Sequence, residues 1–95
     1  MKKYVLLHCG FEQPTPEVME AWGKWFESIS DRTVENIGFG AAREISSEGA
    51  KELPWGPDSI TGCSIITAED LDEAESIASE CPFIASIRVY EVRGH

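Results

Sequence analysis

The stretch Tyr4-Val5-Leu6-Leu7-His8-Cys9 places the strongest constraint on the fold. Its apolar run predicts a β-strand, yet apolar and polar residues do not alternate along it. Successive side chains of a strand point to opposite faces, so residues 4, 6 and 8 share one face and residues 5, 7 and 9 share the other. Neither face of this strand is therefore expected to contact water, and each needs a covering layer.

Two amphipathic helices are predicted to supply one of these layers. The first starts at Thr15, a residue suited to capping, has Pro16 in its first turn and should run to about Ile29. The second opens at Asp70 with acidic residues in its first turn, and it ends before Pro82. Apolar residues recur at spacings of three and four along the first helix, which indicates one buried face: Val18, Met19, Trp22, Trp25, Phe26 and Ile29.

Three further strands complete a predicted β-α-β-β-α-β order. They cover about residues 39–46, 61–67 and 84–92, and the glycines and alanines of the first place it at a sheet edge. Residues 30–37 are interpreted as a polar turn and residues 47–60 as a long connection. This order predicts an α+β, ferredoxin-like fold: an antiparallel four-stranded sheet of order 4-1-3-2 with two helices on one face.

A second copy of the chain is the simplest cover for the sheet face that the helices leave open. Two sheets packed face to face would form a closed or nearly closed barrel, and each apolar side chain buried in this way contributes roughly 1.5–3 kcal/mol. Ninety-five residues are expected to form one domain, residues 1–95, with a modest core. We therefore expect a homodimer, since association would add to a stability limited by size.

The acidic composition disfavours several classes of partner. The chain has 17 Asp and Glu residues against 8 Lys and Arg, a formal charge of −9. Nucleic acid and anionic membrane surfaces are not expected as partners, because both require clustered cations. No apolar stretch approaches the roughly 18 residues of a membrane span. Three cysteines without a C-x-x-C pair indicate free thiols, so we expect a cytoplasmic protein.

Few residues in the chain offer chemistry. His8 is the candidate catalytic residue, a general base, since an unperturbed imidazole titrates near neutrality. The alternative is a histidine that is hydrogen-bonded at a strand end or at the dimer interface. Trp22 belongs to the helical stripe, as a core residue or as the wall of a ligand cleft. No spacing of cysteine and histidine suits a metal ion, and no cofactor is expected.

The connection after the second strand supplies further binding candidates. Trp55 lies in a segment rich in proline and glycine, either as a lid over a cleft or as a contact with the partner subunit. Asp58 is an acid near that lid or a residue that forms a turn. Arg43 is expected within a strand, where it binds a substrate carboxylate or pairs with a neighbouring acid.

Several short motifs, in their order and spacing, carry a resemblance to a known family. They are Lys3-Tyr4-Val5-Leu6-Leu7, Thr15-Pro16-Glu17-Val18-Met19-Glu20-Ala21-Trp22, Gly56-Pro57, Thr61-Gly62, Leu71-Asp72-Glu73-Ala74 and Val89-Tyr90-Glu91-Val92. Together they resemble the YCII-related and DGPF-domain proteins, small members of the dimeric α+β barrel group. The resemblance covers nearly the whole chain.

The resemblance implies a ferredoxin-like fold, a homodimer and a cleft between sheet and helices. Some relatives are enzymes, including ones that act on small ring compounds, and a His–Asp pair with its histidine on the first helix is proposed as catalytic in part of the family. The predicted first helix here has no histidine, and Trp55-Gly56-Pro57-Asp58 keeps only the Gly-Pro of the DGPF signature.

We therefore expect a protein that binds a small molecule in such a cleft. One alternative is a lyase- or isomerase-type enzyme that acts on a small ring or carbonyl compound with His8 as general base. A second alternative is a protein-interaction module without catalytic activity.

Overall fold

A computed structural model describes residues 1–11, 13 and 15–93 of the chain. These residues form an α+β structure with antiparallel strands, as the sequence predicts. The elements in chain order are β1 (Lys2–Cys9), α1 (Pro16–Ser28), β2 (Thr33–Gly38), β3 (Ala42–Ser46), β4 (Gly49–Leu53), β5 (Ile60–Ala68), α2 (Leu71–Ser79) and β6 (Ser86–Glu91). Neither helix of this part of the chain has the length and apolar character needed to cross a membrane.

The main sheet has four strands in the order β2-β5-β1-β6. Each neighbouring pair runs antiparallel, and β1 pairs with both β5 and β6 along most of its length. The first strand is therefore central, which confirms the prediction from its apolar pattern. β3 and β4 pair only with each other, as a separate two-stranded hairpin.

The predictions for the middle of the chain are wrong. β2 covers Thr33–Gly38, where a polar turn was expected, and the strand predicted at residues 39–46 is divided between a connection and β3. The connection predicted at residues 47–60 contains β4. The local sequence pattern of β2 is too weak to predict a strand. The strand forms because β2 pairs with β5, and strand formation depends on neighbouring strands more than on intrinsic preference. The additional hairpin departs from the simple β-α-β-β-α-β order.

Both predicted helix starts are confirmed. The Thr15 hydroxyl accepts a hydrogen bond from the backbone N–H of Val18 at 3.2 Å. The Asp70 carboxylate accepts one from the backbone N–H of Glu73 at 2.8 Å. Each contact satisfies an amide that the first helical turn would otherwise leave without a partner.

The core lies between the helices and the face of the sheet that carries Tyr4 and Leu6. Both of these side chains are fully buried, and Trp25 of α1 is 4% exposed. The indole N–H of Trp25 donates to the carbonyl oxygen of Ile77 at 3.1 Å, which ties α1 to α2. The remaining buried members of the cluster are Ile29, Ile66, Ala68, Ala74, Ala78 and Cys81. Both helices thus cover one face, as predicted.

The opposite face of the sheet is apolar as well. Val5 lies across from Ile65 on one side and Tyr90 on the other, and Leu7 is the next residue of β1 on this face. Val5, Leu7 and Ile65 are half-buried, whereas Tyr90 is 52% exposed. These neighbours form an apolar patch on the side away from the helices, which we call the open face; Arg88 opposite Leu7 and Glu35 opposite Ile65 are exposed charged residues beside it.

Candidate functional site

His8 lies on the helix-facing side of β1 and is 8% exposed. Its Nε2 atom is 3.0 Å from the hydroxyl oxygen of Ser64, which is fully buried. The Nδ1 atom is also buried, and no described residue supplies it with a hydrogen-bond partner. Burial lowers the pKa of His8 below its usual value of 6.5, because the charged imidazolium loses hydration. The imidazole is therefore neutral at pH 7.

Three aromatic rings of α1 surround the His8 imidazole. The ring centroids of Trp22, Trp25 and Phe26 lie 5.0, 5.8 and 6.4 Å from that of His8, each nearly perpendicular to it. Edge-to-face packing of this kind places the positive edge of one ring on the negative face of another. Two of the predicted site residues, His8 and Trp22, are therefore in contact.

A cavity of about 300 Å³ lies beside His8, between the sheet and α1. We call it the cleft. Trp22 and Phe26 line it from the helix side, Gly38 and Gly62 line it from the sheet, and Asn36 lines it at edge strand β2. Its volume is at the lower end of the roughly 300–1,000 Å³ that is usual for small-molecule sites.

The cleft exists because two side chains are absent from the sheet beneath it. His8 pairs with Gly62 across β1 and β5, and Gly62 pairs with Gly38 across β5 and β2. Residues directly opposite on antiparallel strands point to the same face, so this row has a side chain at His8 and none toward the edge. A Cβ atom on Gly62 would lie 2.6 Å from the carbonyl oxygen of Ile37, whereas one on Gly38 would meet nothing within 4 Å.

The next row of the sheet supplies polar groups that the sequence analysis missed. Leu6 pairs with Ser64, and Ser64 pairs with Asn36. Ser64 is a polar residue inside the apolar strand β5, and that interruption is a pattern that could have identified it. Asn36 lies in the segment interpreted as a turn, where nothing local marks it. Thr61 also lines the cleft, and its hydroxyl donates to the backbone carbonyl oxygen of His8 at 3.3 Å.

A second cavity, of about 730 Å³, lies beneath the β3–β4 hairpin and the loop that follows it. We call it the hairpin cavity. Trp55 and Asp58 both line it, together with Leu7 from the open face of the sheet. The Trp55 ring is 42% exposed and lies 5.5 Å from the ring of Phe11. The structure therefore brings Trp55 and Asp58 together, but at a different cavity from His8 and Trp22.

Arg43 is not part of either cavity. It lies in β3 with an exposed side chain and pairs with Glu52 across the hairpin. The sequence predicts a strand around Arg43, and the structure has one, yet the strand belongs to the hairpin and not to the main sheet.

The three cysteines are free and buried, as predicted. Burial raises the pKa of Cys81 to about 12, and burial together with the nearby Glu35 carboxylate raises the pKa of Cys63. Both thiols are therefore protonated at neutral pH and are poor nucleophiles. Within the described ranges, His, Cys, Asp and Glu side chains do not form a group of three that could hold a metal ion.

No protein-family model matches the chain, and no curated protein matches it significantly. Among solved structures, the chain is similar to 5-chloro-2-hydroxyhydroquinone dehydrochlorinase from Burkholderia phenoliruptrix AC1100, in a complex with 2,5-dihydroxybenzoquinone. The TM-score is 0.61 and the identity 14%, over 98% of this chain and 95% of that chain. At this identity, the similarity shows that the two chains share a fold.

Proposed function

We propose that the cleft binds a small, flat ring compound. The observation that carries this proposal is the row of Gly62 and Gly38, which leaves a slot without side chains opposite the aromatic rings of Trp22 and Phe26. Aromatic side chains bind flat rings by stacking or edge-to-face contact. The complex of the structural neighbour with 2,5-dihydroxybenzoquinone, a single six-membered ring, supports a ligand of this class.

The charge of the site narrows the ligand class further. No Lys or Arg residue lines the cleft, and the chain has a formal charge of −9. Such a field repels polyanions, so nucleotides and other phosphorylated compounds are disfavoured. A neutral ring with hydroxyl or carbonyl substituents fits better.

An NMR titration tests the proposal and identifies the cavity that is occupied. Hydroquinone and 2,5-dihydroxybenzoquinone are added separately to ¹⁵N-labelled protein. The Gly62 amide reports on the cleft and the Gly56 amide reports on the hairpin cavity, since each residue lines only one of the two. We expect saturable shifts at Gly62, stronger with the neutral hydroquinone. Shifts confined to Gly56, or no shifts with either compound, would refute the proposal.

We also propose that the chain is a homodimer with a ferredoxin-like fold, in which two open faces pack together as a dimeric α+β barrel. The support is the apolar patch of Val5, Leu7, Ile65 and Tyr90, which one chain leaves partly in contact with solvent. Leu7 lines the hairpin cavity as well, so the hairpin would lie at the border of this interface.

Analytical ultracentrifugation of two matched variants tests the dimer. Leu7→Lys places a charge on the open face, whereas Met19→Lys places one on α1, where the side chain is already 63% exposed. We expect the wild-type protein and the Met19 variant to sediment as dimers at micromolar concentration and the Leu7 variant as a monomer with a native circular dichroism spectrum. A monomeric wild-type protein contradicts the proposal.

A second candidate function is a lyase- or isomerase-type reaction on a ring compound with His8 as general base. The observation in its favour is a neutral imidazole in the wall of the cleft. The structural neighbour, a dehydrochlorinase, supplies a substrate to test, 5-chloro-2-hydroxyhydroquinone, with chloride release as the assay. We expect His8→Gln to abolish any turnover. Full activity in this variant would exclude His8 as the base.

A further inference from the structure

We infer that Asn36, and not His8, is the polar residue that selects ligands in the cleft, and that Ser64 is a positioning residue that holds His8 away from this role. The inference rests on the proposed ring-binding function, because it assigns residues of the same cleft. It follows from the hydrogen bonds that each of the three side chains has available.

Ser64 determines which nitrogen of His8 carries the proton. A neutral imidazole has one N–H donor and one acceptor lone pair. If the Ser64 hydroxyl donates to Nε2, the serine proton and the Nε2 lone pair are both satisfied, and the ring proton lies on Nδ1, which then is the one group without a described partner. The opposite tautomer would leave the serine proton and the Nδ1 lone pair without described partners. The first arrangement therefore leaves one hydrogen-bonding group unmet, against two in the second, and has the lower cost.

The aromatic surroundings of His8 are compatible with the same tautomer. The rings of Trp22, Trp25 and Phe26 pack around the imidazole at nearly right angles. The face of an aromatic ring is negative, so it attracts an N–H group and repels a lone pair. Where such a face lies against the buried Nδ1 atom, an N–H group fits better there than a lone pair. With Nε2 bonded to Ser64 and Nδ1 buried, neither nitrogen is open to a ligand in the cleft, which counts against the second candidate function with His8 as general base.

Asn36, in contrast to His8, has side-chain hydrogen-bonding atoms that are available to a ligand. It lies on edge strand β2, its side chain is exposed, and it lines the cleft beside the Gly38 end of the slot. A carboxamide both donates and accepts, so it can bind a carbonyl or a hydroxyl group of the ligand. Thr61, another polar residue of the lining, already donates its hydroxyl proton to the backbone of His8. The selected ligand is therefore a flat ring with an oxygen substituent directed toward the sheet edge.

Binding of two matched rings to Asn36→Leu tests the role of Asn36. Hydroquinone carries hydroxyl groups and fluorobenzene has none, so only the first can use the carboxamide. We expect the variant to bind hydroquinone about tenfold more weakly, a loss typical of one hydrogen bond, and fluorobenzene as the wild-type protein does. Equal loss for both rings, or none for hydroquinone, overturns the inference while ring binding itself stands. Failure of the wild-type protein to bind either ring overturns the proposed function and this inference together.

The role of Ser64 can be tested without any ligand. Long-range ¹H–¹⁵N spectra of the His8 ring report which nitrogen is protonated at pH 7.5. We expect a protonated Nδ1 and a bare Nε2 in the wild-type protein, and a shift toward the other tautomer in Ser64→Ala. A loss of packing alone would not move the proton between nitrogens. A bare Nδ1 in the wild-type protein contradicts the inference.

Discussion

The cleft and the hairpin cavity differ in what holds their walls. The hairpin cavity has more than twice the volume, about 730 against 300 Å³, yet most of its lining comes from the ends of a two-stranded hairpin and the connections on either side of it. An isolated hairpin is marginally stable, and side chains such as Trp55 remain 42% exposed there. The cleft is bounded by central strands β1 and β5, by edge strand β2 and by the packed helix α1. The comparison shows that rigid support, more than volume, identifies the better candidate for binding, since a ligand gains affinity from walls that are already in place.

The largest expected difference is between Trp25, in the core that supports the cleft, and Trp55, at the hairpin cavity. Trp25 is 4% exposed and donates a hydrogen bond to Ile77, so Trp25→Ala should lower the free energy of unfolding by about 3–5 kcal/mol. Trp55→Ala should lower it by about 1 kcal/mol, because nearly half of that side chain is in water. Urea denaturation at one protein concentration measures both. Comparable losses would show that the hairpin is as tightly packed as the core.

The two glycines of the cleft provide a matched pair with a smaller effect. Gly62→Ala places a Cβ atom 2.6 Å from a backbone oxygen and should destabilise the protein by about 1–3 kcal/mol. Gly38→Ala has open space around it and should change stability by no more than about 0.5 kcal/mol. Thermal unfolding compares the two variants. If Gly38→Ala were the more costly, the row of glycines would not have the geometry described.

The pH dependence of stability tests the environment of His8. Burial lowers its pKa in the folded state, so below about pH 6.5 the unfolded chain takes up a proton more readily than the folded chain. Stability should be complete above pH 6.5 and fall as the pH drops toward the folded-state pKa. The His8→Gln variant should lack this fall in stability, because glutamine does not titrate. Unfolding free energies of the two proteins at pH 7.5, 6.5 and 5.5 give this difference. If both depended on pH in the same way, His8 would be exposed to water and not buried.

The smallest expected effect is at Arg43. Its side chain is exposed on β3 and lines neither cavity, so Arg43→Ala should change stability by no more than about 0.5 kcal/mol. Hydroquinone binding should be unchanged as well. Calorimetric titration of the variant checks this, and weakened binding would show that the hairpin reaches the ligand.

Much of the fold was predictable because its indications are local. Thr15 and Asp70 are recognisable caps, and the spacing of apolar residues identifies the buried face of α1. β2 was not predictable, since its partner residues in β5 lie 24 to 33 positions away along the chain (Gly38 with Gly62, Thr33 with Ile66). The same separation in sequence explains why only part of the candidate site was predictable. His8 and Trp22 could be named from residue type, and Ser64 from the polar interruption of an apolar strand, whereas Asn36 is identified only when the strands pair.

The sequence by itself determined that β1 is central, because an apolar run without alternation cannot face water on either side. It also determined the two helices and the free, buried cysteines. Only the tertiary structure decided where the cleft lies. His8, Gly62 and Gly38 belong to three strands, and the register of those strands sets them in one row beneath Trp22. Register depends on side-chain packing across the whole sheet, so no local pattern in the sequence encodes it.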